Sequence, residues 1–163
     1  MSWTIKELEL EDLTEELYES VPKELKNVSL EEMKSIMALR LAGHTTTIIC
    51  IMDDKFIGMA GLTIDYKLDG TKIGFFEDLN VAPEYQNQGF GRIITNCLQY
   101  TAWDKGCDKI LGYADRDSYA SRIHPKLGAS AIEGIWWQKE NPRDGITREG
   151  YLKTEKAKQA TFL

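Results

Sequence analysis

Histidine is scarce in this sequence, the cysteines form no paired motif and positive charge is outnumbered, and each of these argues against a class of function. His44 and His124 are the only histidines among 163 residues, and they lack the spacing of a metal-binding pair. No metal site is expected. The three cysteines, Cys50, Cys97 and Cys107, are odd in number and form no C-x-x-C pair. They read as reduced thiols of a cytoplasmic protein, not as a disulfide framework. Lysine and arginine number 20 against 26 aspartates and glutamates, a net charge of −6. That deficit disfavours nucleic acid, whose binding rests on cationic contacts to phosphate. It suits a cationic substrate better, although surface charge speaks mainly to solubility. No apolar run approaches about 18 residues, so no membrane-crossing helix is expected, and the N-terminus has no apolar signal segment. Two phosphate-binding fingerprints are also missing. There is no G-x-G-x-x-G followed by an acidic residue, as a dinucleotide fold requires, and no G-K-S/T of a Walker loop.

What remains is ordinary for a globular chain, with 42% apolar and 28% charged residues. The length predicts one domain over 1–163 with a full core. One stretch stands out, FFEDLNVAPEYQNQGFGRIITNCLQY at 75–100. Phe75–Val81 is a short apolar run interrupted by Glu77, Asp78 and Asn80. A polar loop follows, with Pro83 at its start and Gly89 and Gly91 at its end. Apolar residues then fall at 90, 93, 94, 97 and 98, which is helical spacing. The unit is a strand, a glycine-bearing turn and a helix. A helix N-terminus carries unpaired N–H groups and partial positive charge. Glycine there lets an anion approach the backbone. The pattern predicts a phosphate-type anion site at 86–92, with two carboxylates on the strand that feeds it.

The rest of the chain builds around this unit. Trp3–Leu8 predicts a strand. Leu13, Leu17 and Val21 predict a helix from Glu11 to the proline at 22. Ser29 and Glu32 form a capping box for a second helix, with Leu30, Met33, Ile36, Met37 and Leu41 as its core face and Gly43 as its end. Thr45–Met52, Phe56–Tyr66 and Lys72–Val81 predict an antiparallel meander joined by tight Asp-rich turns. Gly58 and Gly61 mark a bulge or a close backbone approach. Lys109–Ala114 predicts a strand parallel to the one before the helix. A short helix over 117–128, interrupted near Pro125, two closing strands at 131–137 and 147–154, and a loosely held tail from 153 complete the chain. The order β-α-α-β-β-β-α-β-α-β-β predicts an α/β domain, an α+β mixed sheet with helices on both faces.

Val81, Pro83, Tyr85, Gln86, Gly89 and Gly91 spell V-x-P-x-Y-Q-x-x-G-x-G. This string resembles the R/Q-x-x-G-x-G/A acetyl-CoA signature of the GNAT superfamily of N-acetyltransferases. The element order agrees over nearly the full chain. FFEDLNV, GCDKILGYADRD and DSYASRIHPKLGA further resemble the glucosamine-phosphate N-acetyltransferase type. In the last string Lys126 and Gly128 match. Asp117 stands where that type has Asn, Ile123 where it has Phe, and His124 where it has Tyr. The resemblance implies a GNAT-like acyl-CoA N-acyltransferase fold and acetyl transfer from acetyl-CoA to the primary amine of a small molecule, an amino sugar or polyamine-like compound. It also implies a homodimer. A non-catalytic acyl-CoA-binding module and a protein N-acetyltransferase are the alternatives.

Amine acetylation needs a neutral amine, a polarised thioester carbonyl and a protonated thiolate leaving group. An alkyl amine has a pKa of roughly 10, so a base or water chain must take its proton. Glu77 and Asp78 are the candidates, and on a regular strand only one of two neighbours faces the cleft. The resemblance favours Glu77, with Asp78 reaching substrate or a partner subunit. His124 either protonates the thiolate, as an imidazole can near neutrality, or is a helix-end surface residue. Tyr119, one turn earlier, is the substitute. Leu79, Asn80 and Val81 are expected to present backbone to the pantetheine arm. Gln86, Asn87, Gln88, Gly89, Phe90 and Gly91 are expected to cradle pyrophosphate. Arg92 either adds charge or lies at the surface, and Asp117 occupies a cofactor-contacting position. Trp136 and Trp137 point to opposite faces of a strand, so one of them is core.

Overall fold

The computed structural model describes residues 3–113 and Pro125. The chain forms two compact units, Met1–Ser130 and Ala131–Leu163, and the described residues lie in the first. The expected helix over 117–128, the strands at 131–137 and 147–154, and the tail lie outside the described residues. With them go Asp117, Tyr119, His124, Trp136 and Trp137.

Among the described residues, five strands form one sheet in sequence order: β1 (Trp3–Glu7), β2 (Thr45–Met52), β3 (Lys55–Tyr66), β4 (Lys72–Val81) and β5 (Lys109–Gly112). The first three pairings are antiparallel and β4–β5 is parallel, as a strand reached across a helix should be. The turns follow from local chemistry. Asp53 and Asp54 both take left-handed φ, 49° and 59°, in the two-residue turn between β2 and β3. Such turns suit the twist of a hairpin.

Helices α1 (Glu15–Ser20) and α2 (Leu30–Ala42) precede β2, and α3 (Phe90–Asp104) joins β4 to β5. The first helix begins later than its apolar spacing suggests. Residues Leu10–Asp12 form a separate 3₁₀ turn, and Thr14 caps α1 by accepting from the Leu17 N–H. The expected capping box of α2 is present, with Ser29 N donating to Glu32 Oε2 at 2.8 Å.

Alternation along the strands sends side chains to two cores. Ile48, Cys50, Ile57 and Leu62 pack with Phe90, Ile94, Leu98 and Ala102 of α3. Ile49 and Phe56 pack with Leu8, Leu13, Leu17 and Met37 on the opposite face. Burying Ile94 and Leu98 contributes about 1.5–3 kcal/mol each, so the axis of α3, and hence its N-terminus, is fixed against the sheet. The expected core face of α2 is only partly correct. Met37 is buried and Leu30 and Met33 are half-covered, but Ile36 and Leu41 are exposed. The helix meets the sheet along a narrower stripe than its sequence allows.

Cys50 is fully buried. Burial, reinforced by the nearby Cys97, pushes its thiol from 9.0 up to about 11. The unfolded chain therefore ionises first as pH rises. The stability this group contributes is complete below about pH 9 and is lost as pH climbs towards 11. Between those values, the urea midpoint of the protein is expected to fall more steeply than that of a Cys50→Val variant. Parallel curves would refute the assignment.

Candidate functional site

The register of β4 against β3 contains an irregularity. Met59 pairs with Asn80, but Gly61 pairs with Glu77, so two steps on β3 match three on β4. The extra residue makes a β-bulge, and Asp78 takes φ 55° there. Aspartate tolerates this left-handed conformation better than most residues. The Asn80 side chain donates to the Asp78 carbonyl at 3.1 Å and braces the bulge. A bulge breaks strict alternation. The expectation that only one of Glu77 and Asp78 faces a given side therefore fails. Both carboxylates reach one guanidinium, that of Arg40 on α2, with Nη1 donating to Asp78 Oδ2 at 3.0 Å and Nη2 lying 3.8 Å from Glu77 Oε2.

Glu77 is also held from β3. Thr63 Oγ1 donates to Glu77 Oε1 at 2.6 Å, and Thr45 Oγ1 lies 2.9 Å from Thr63 Oγ1. A hydroxyl bond to a carboxylate at this length is charge-assisted and directional. Glu77 keeps 39% of its side chain exposed and Asp78 49%, so both remain open to a reactant. Arg40, Thr63 and Thr45 are absent from the sequence-based candidates. The available signals were a lone cation in the apolar string of α2, Ala38-Leu39-Arg40-Leu41-Ala42, and a glycine, Gly61, inside a strand.

Beyond the bulge the sheet opens. Parallel pairing of β4 with β5 runs from Ile73–Lys109 to Phe76–Gly112 and stops. Among the described residues, β4 has no partner on that side from Glu77 onward. A cavity of about 120 Å³ fills the gap, lined in part by Glu77, Asp78, Leu79, Thr95, Gly112 and Tyr113. Leu79 and Val81 turn their side chains towards the α3 core.

The turn after β4 leads through a 3₁₀ turn, Pro83–Tyr85, into α3. Asn87 and Gly89 adopt left-handed φ of 60° and 91°. Gly89 is the residue before the first turn of α3, and no side chain caps that end. Among the described residues, no backbone acceptor takes the N–H groups of 87–92, while Ile93 N already bonds to Gly89 O. The first turn holds no acidic residue, and Arg92 is exposed beside it. A Cβ on Gly91 would meet only Val81 Cγ2, at 3.8 Å, so the open space there is not required by the protein's own packing. These groups fit a pyrophosphate. Gln86 fits less well than its sequence position suggested. Its N–H bonds to Pro83 O and its side chain donates to the Val81 carbonyl at 3.0 Å, which also engages that strand acceptor. Gln88 likewise donates to Glu84 O. Both glutamines shape the loop. Among the described residues, no group of three His, Cys, Asp or Glu could hold a metal, and no helix is long and apolar enough to cross a membrane.

The model of the acetyltransferase (GNAT) family matches residues 5–129. No curated protein matches the sequence. Among solved structures, an acetyltransferase from Trypanosoma brucei is 23% identical, with a TM-score of 0.72, over 85% of this chain and 100% of that one. Glucosamine-6-phosphate N-acetyltransferase from Arabidopsis thaliana is 19% identical, with a TM-score of 0.71, over 86% and 99%. An aminoglycoside acetyltransferase from an uncultured soil metagenomic sample, in complex with trehalose, is 20% identical, with a TM-score of 0.70, over 86% and 97%. At these identities the likeness is one of fold.

Proposed function

The chain belongs to the acetyltransferase (GNAT) family, which makes it an acetyl-CoA-dependent N-acetyltransferase, and we propose that its acceptor is the primary amine of a small molecule, an amino sugar or polyamine-like compound, with Glu77 taking the amine's proton. One observation carries this reading. The bulge in β4 holds Glu77 and Asp78 where, among the described residues, β4 and β5 part, next to a strand edge that leads to N–H groups at the start of α3 without a partner among those residues. Acetyl-CoA, when bound, would supply an acetyl group activated as a thioester, which the free amine can take with release of the thiol.

The chain's residues divide the remaining work. The N–H groups of 87–92 and the space over Gly91 would hold the pyrophosphate. The open edge of β4 beside Leu79 would direct the pantetheine arm towards Glu77. The Thr63 hydroxyl engages Glu77 Oε1 and would leave the second oxygen for the acceptor's proton. His124, outside the described residues, is the candidate for protonating the thiolate. Relatives in fold that act on glucosamine 6-phosphate and on aminoglycosides favour a sugar-borne amine. The net charge of −6 favours a cationic one. A cytoplasmic homodimer belongs to the same reading. Release of free thiol from acetyl-CoA should be detectable with at least one of glucosamine 6-phosphate, spermidine and sisomicin. If none of the three releases thiol above the rate of hydrolysis, the small-molecule acceptor is wrong and a protein acceptor becomes the better reading.

A further inference from the structure

Arg40 is held at a cost. Its side chain is only 23% exposed, and Nε and Nη2 are both buried without a hydrogen-bond partner. A buried donor left unmade destabilises the fold, and more so when charged. Both atoms lie on the same edge of the guanidinium, so the fork that normally grips an oxyanion is unused. The space for it is cleared by Gly61. A Cβ at that position would run into Arg40 Nη2 and lie 3.3 Å from Glu77 Cγ. An exposed ion pair contributes little to stability, which does not explain a half-buried cation with two orphaned donors and a glycine reserved beneath it.

The charges on the bulge suggest an explanation. Two bare carboxylates side by side would bind an ammonium ion tightly and hold it as a cation. An acetyl acceptor must instead lose a proton. With Nη1 bonded to Asp78, the trio of Arg40, Glu77 and Asp78 carries one net negative charge. Thr63 occupies Glu77 Oε1, and Oε2 lies too far from Nη2 for a hydrogen bond. We propose that Arg40 is a positioning residue: it neutralises Asp78 and leaves Glu77 Oε2, which no hydrogen bond engages among the described residues, as the oxygen that takes the amine's proton. One N–H bond of the ammonium then breaks, the O–H bond forms at Glu77, and the nitrogen keeps its lone pair for attack. The inference rests on the reading of Glu77 as the base.

Its signature is a split between kcat and KM. Without Arg40 the site gains negative charge, so the amine binds more tightly and reacts more slowly. Arg40→Met is expected to lower kcat about tenfold and to lower the KM for the amine as well, while the KM for acetyl-CoA stays unchanged. The amine is whichever of glucosamine 6-phosphate, spermidine and sisomicin gives thiol release. Gly61→Ala should produce the same split by displacing the guanidinium without removing a charge, and it decides the matter if the Met variant does not fold. Thermal unfolding of each variant confirms that the assays report on folded protein. Unchanged kcat and KM, or a raised KM for the amine, would assign Arg40 a purely structural role and overturn the proposal. A Glu77→Gln variant with full activity, or no thiol release from any of the three amines, would instead remove the reading beneath it.

Discussion

Glutamine at position 77 is expected to lower kcat by about 10²–10⁴-fold, the usual worth of a positioned general base, with little change in CoA affinity or stability. The substitution is nearly isosteric. The amide oxygen can still accept from Thr63 Oγ1, so the side chain keeps its orientation. It cannot take a proton. Glu77 is 39% exposed and pairs with Arg40 only at 3.8 Å, so loss of that pair should cost about 0–1 kcal/mol of stability. The cofactor contacts assigned to residues 87–92 are untouched. Steady-state thiol release gives kcat, calorimetry with CoA gives affinity, and a thermal melt gives stability. The expected result is a large fall in the first with the other two nearly constant. A variant within threefold of the parent rate would remove Glu77 from the chemistry and leave Asp78 or a bound water as the base.

Glu77 and Asp78 also show what the sequence could and could not reveal. The meander, the capping box of α2 and the strand–turn–helix unit depend on interactions over a few residues: turn-forming Asp, Ser and Glu three apart, and apolar spacing. Each is present as read. The bulge depends on how β4 registers against β3, a pairing between residues 16 to 21 positions apart, Gly61 with Glu77 and Met59 with Asn80. Nothing in the string Glu77-Asp78-Leu79-Asn80 announces an extra residue beyond the tolerance of Asp for left-handed φ. The Arg40–Asp78 bond spans 38 residues and has no local pattern at all. Ile36 and Leu41 illustrate the same limit in the core. Their helical spacing is apolar, but the tilt of α2 on the sheet decides which of its residues are covered. At the turn, the glycine-bearing string placed the junction of β4 and α3 where the structure has it. It could not show that Gln86 and Gln88 bond to the loop's own carbonyls while the N–H groups of 87–92 stay available.

At the start of α3 lies the second large effect, a variant in which stability and binding should move in opposite directions. Gly91 is the second residue of α3, and an added Cβ would make only ordinary contact with Val81 Cγ2. Replacing it with Glu removes a glycine from a helix, worth about 0.5–1 kcal/mol. It also places an acid in the first turn, worth about 0.3–1 kcal/mol more against the helix dipole. On packing and propensity alone, Gly91→Glu should raise the melting temperature. The same carboxylate would compete for the N–H groups at the anion site and repel a pyrophosphate at contact range. CoA affinity should fall by at least about 10²-fold. Gly89→Glu supplies the contrast. Gly89 has φ 91°, where a side chain costs about 1–2 kcal/mol, so that variant should lose both stability and affinity. Calorimetry and melting curves on the two proteins separate the effects. If Gly91→Glu binds CoA as well as the parent does, the pyrophosphate does not sit over the start of α3, and the cofactor site must be sought elsewhere along the open edge of β4.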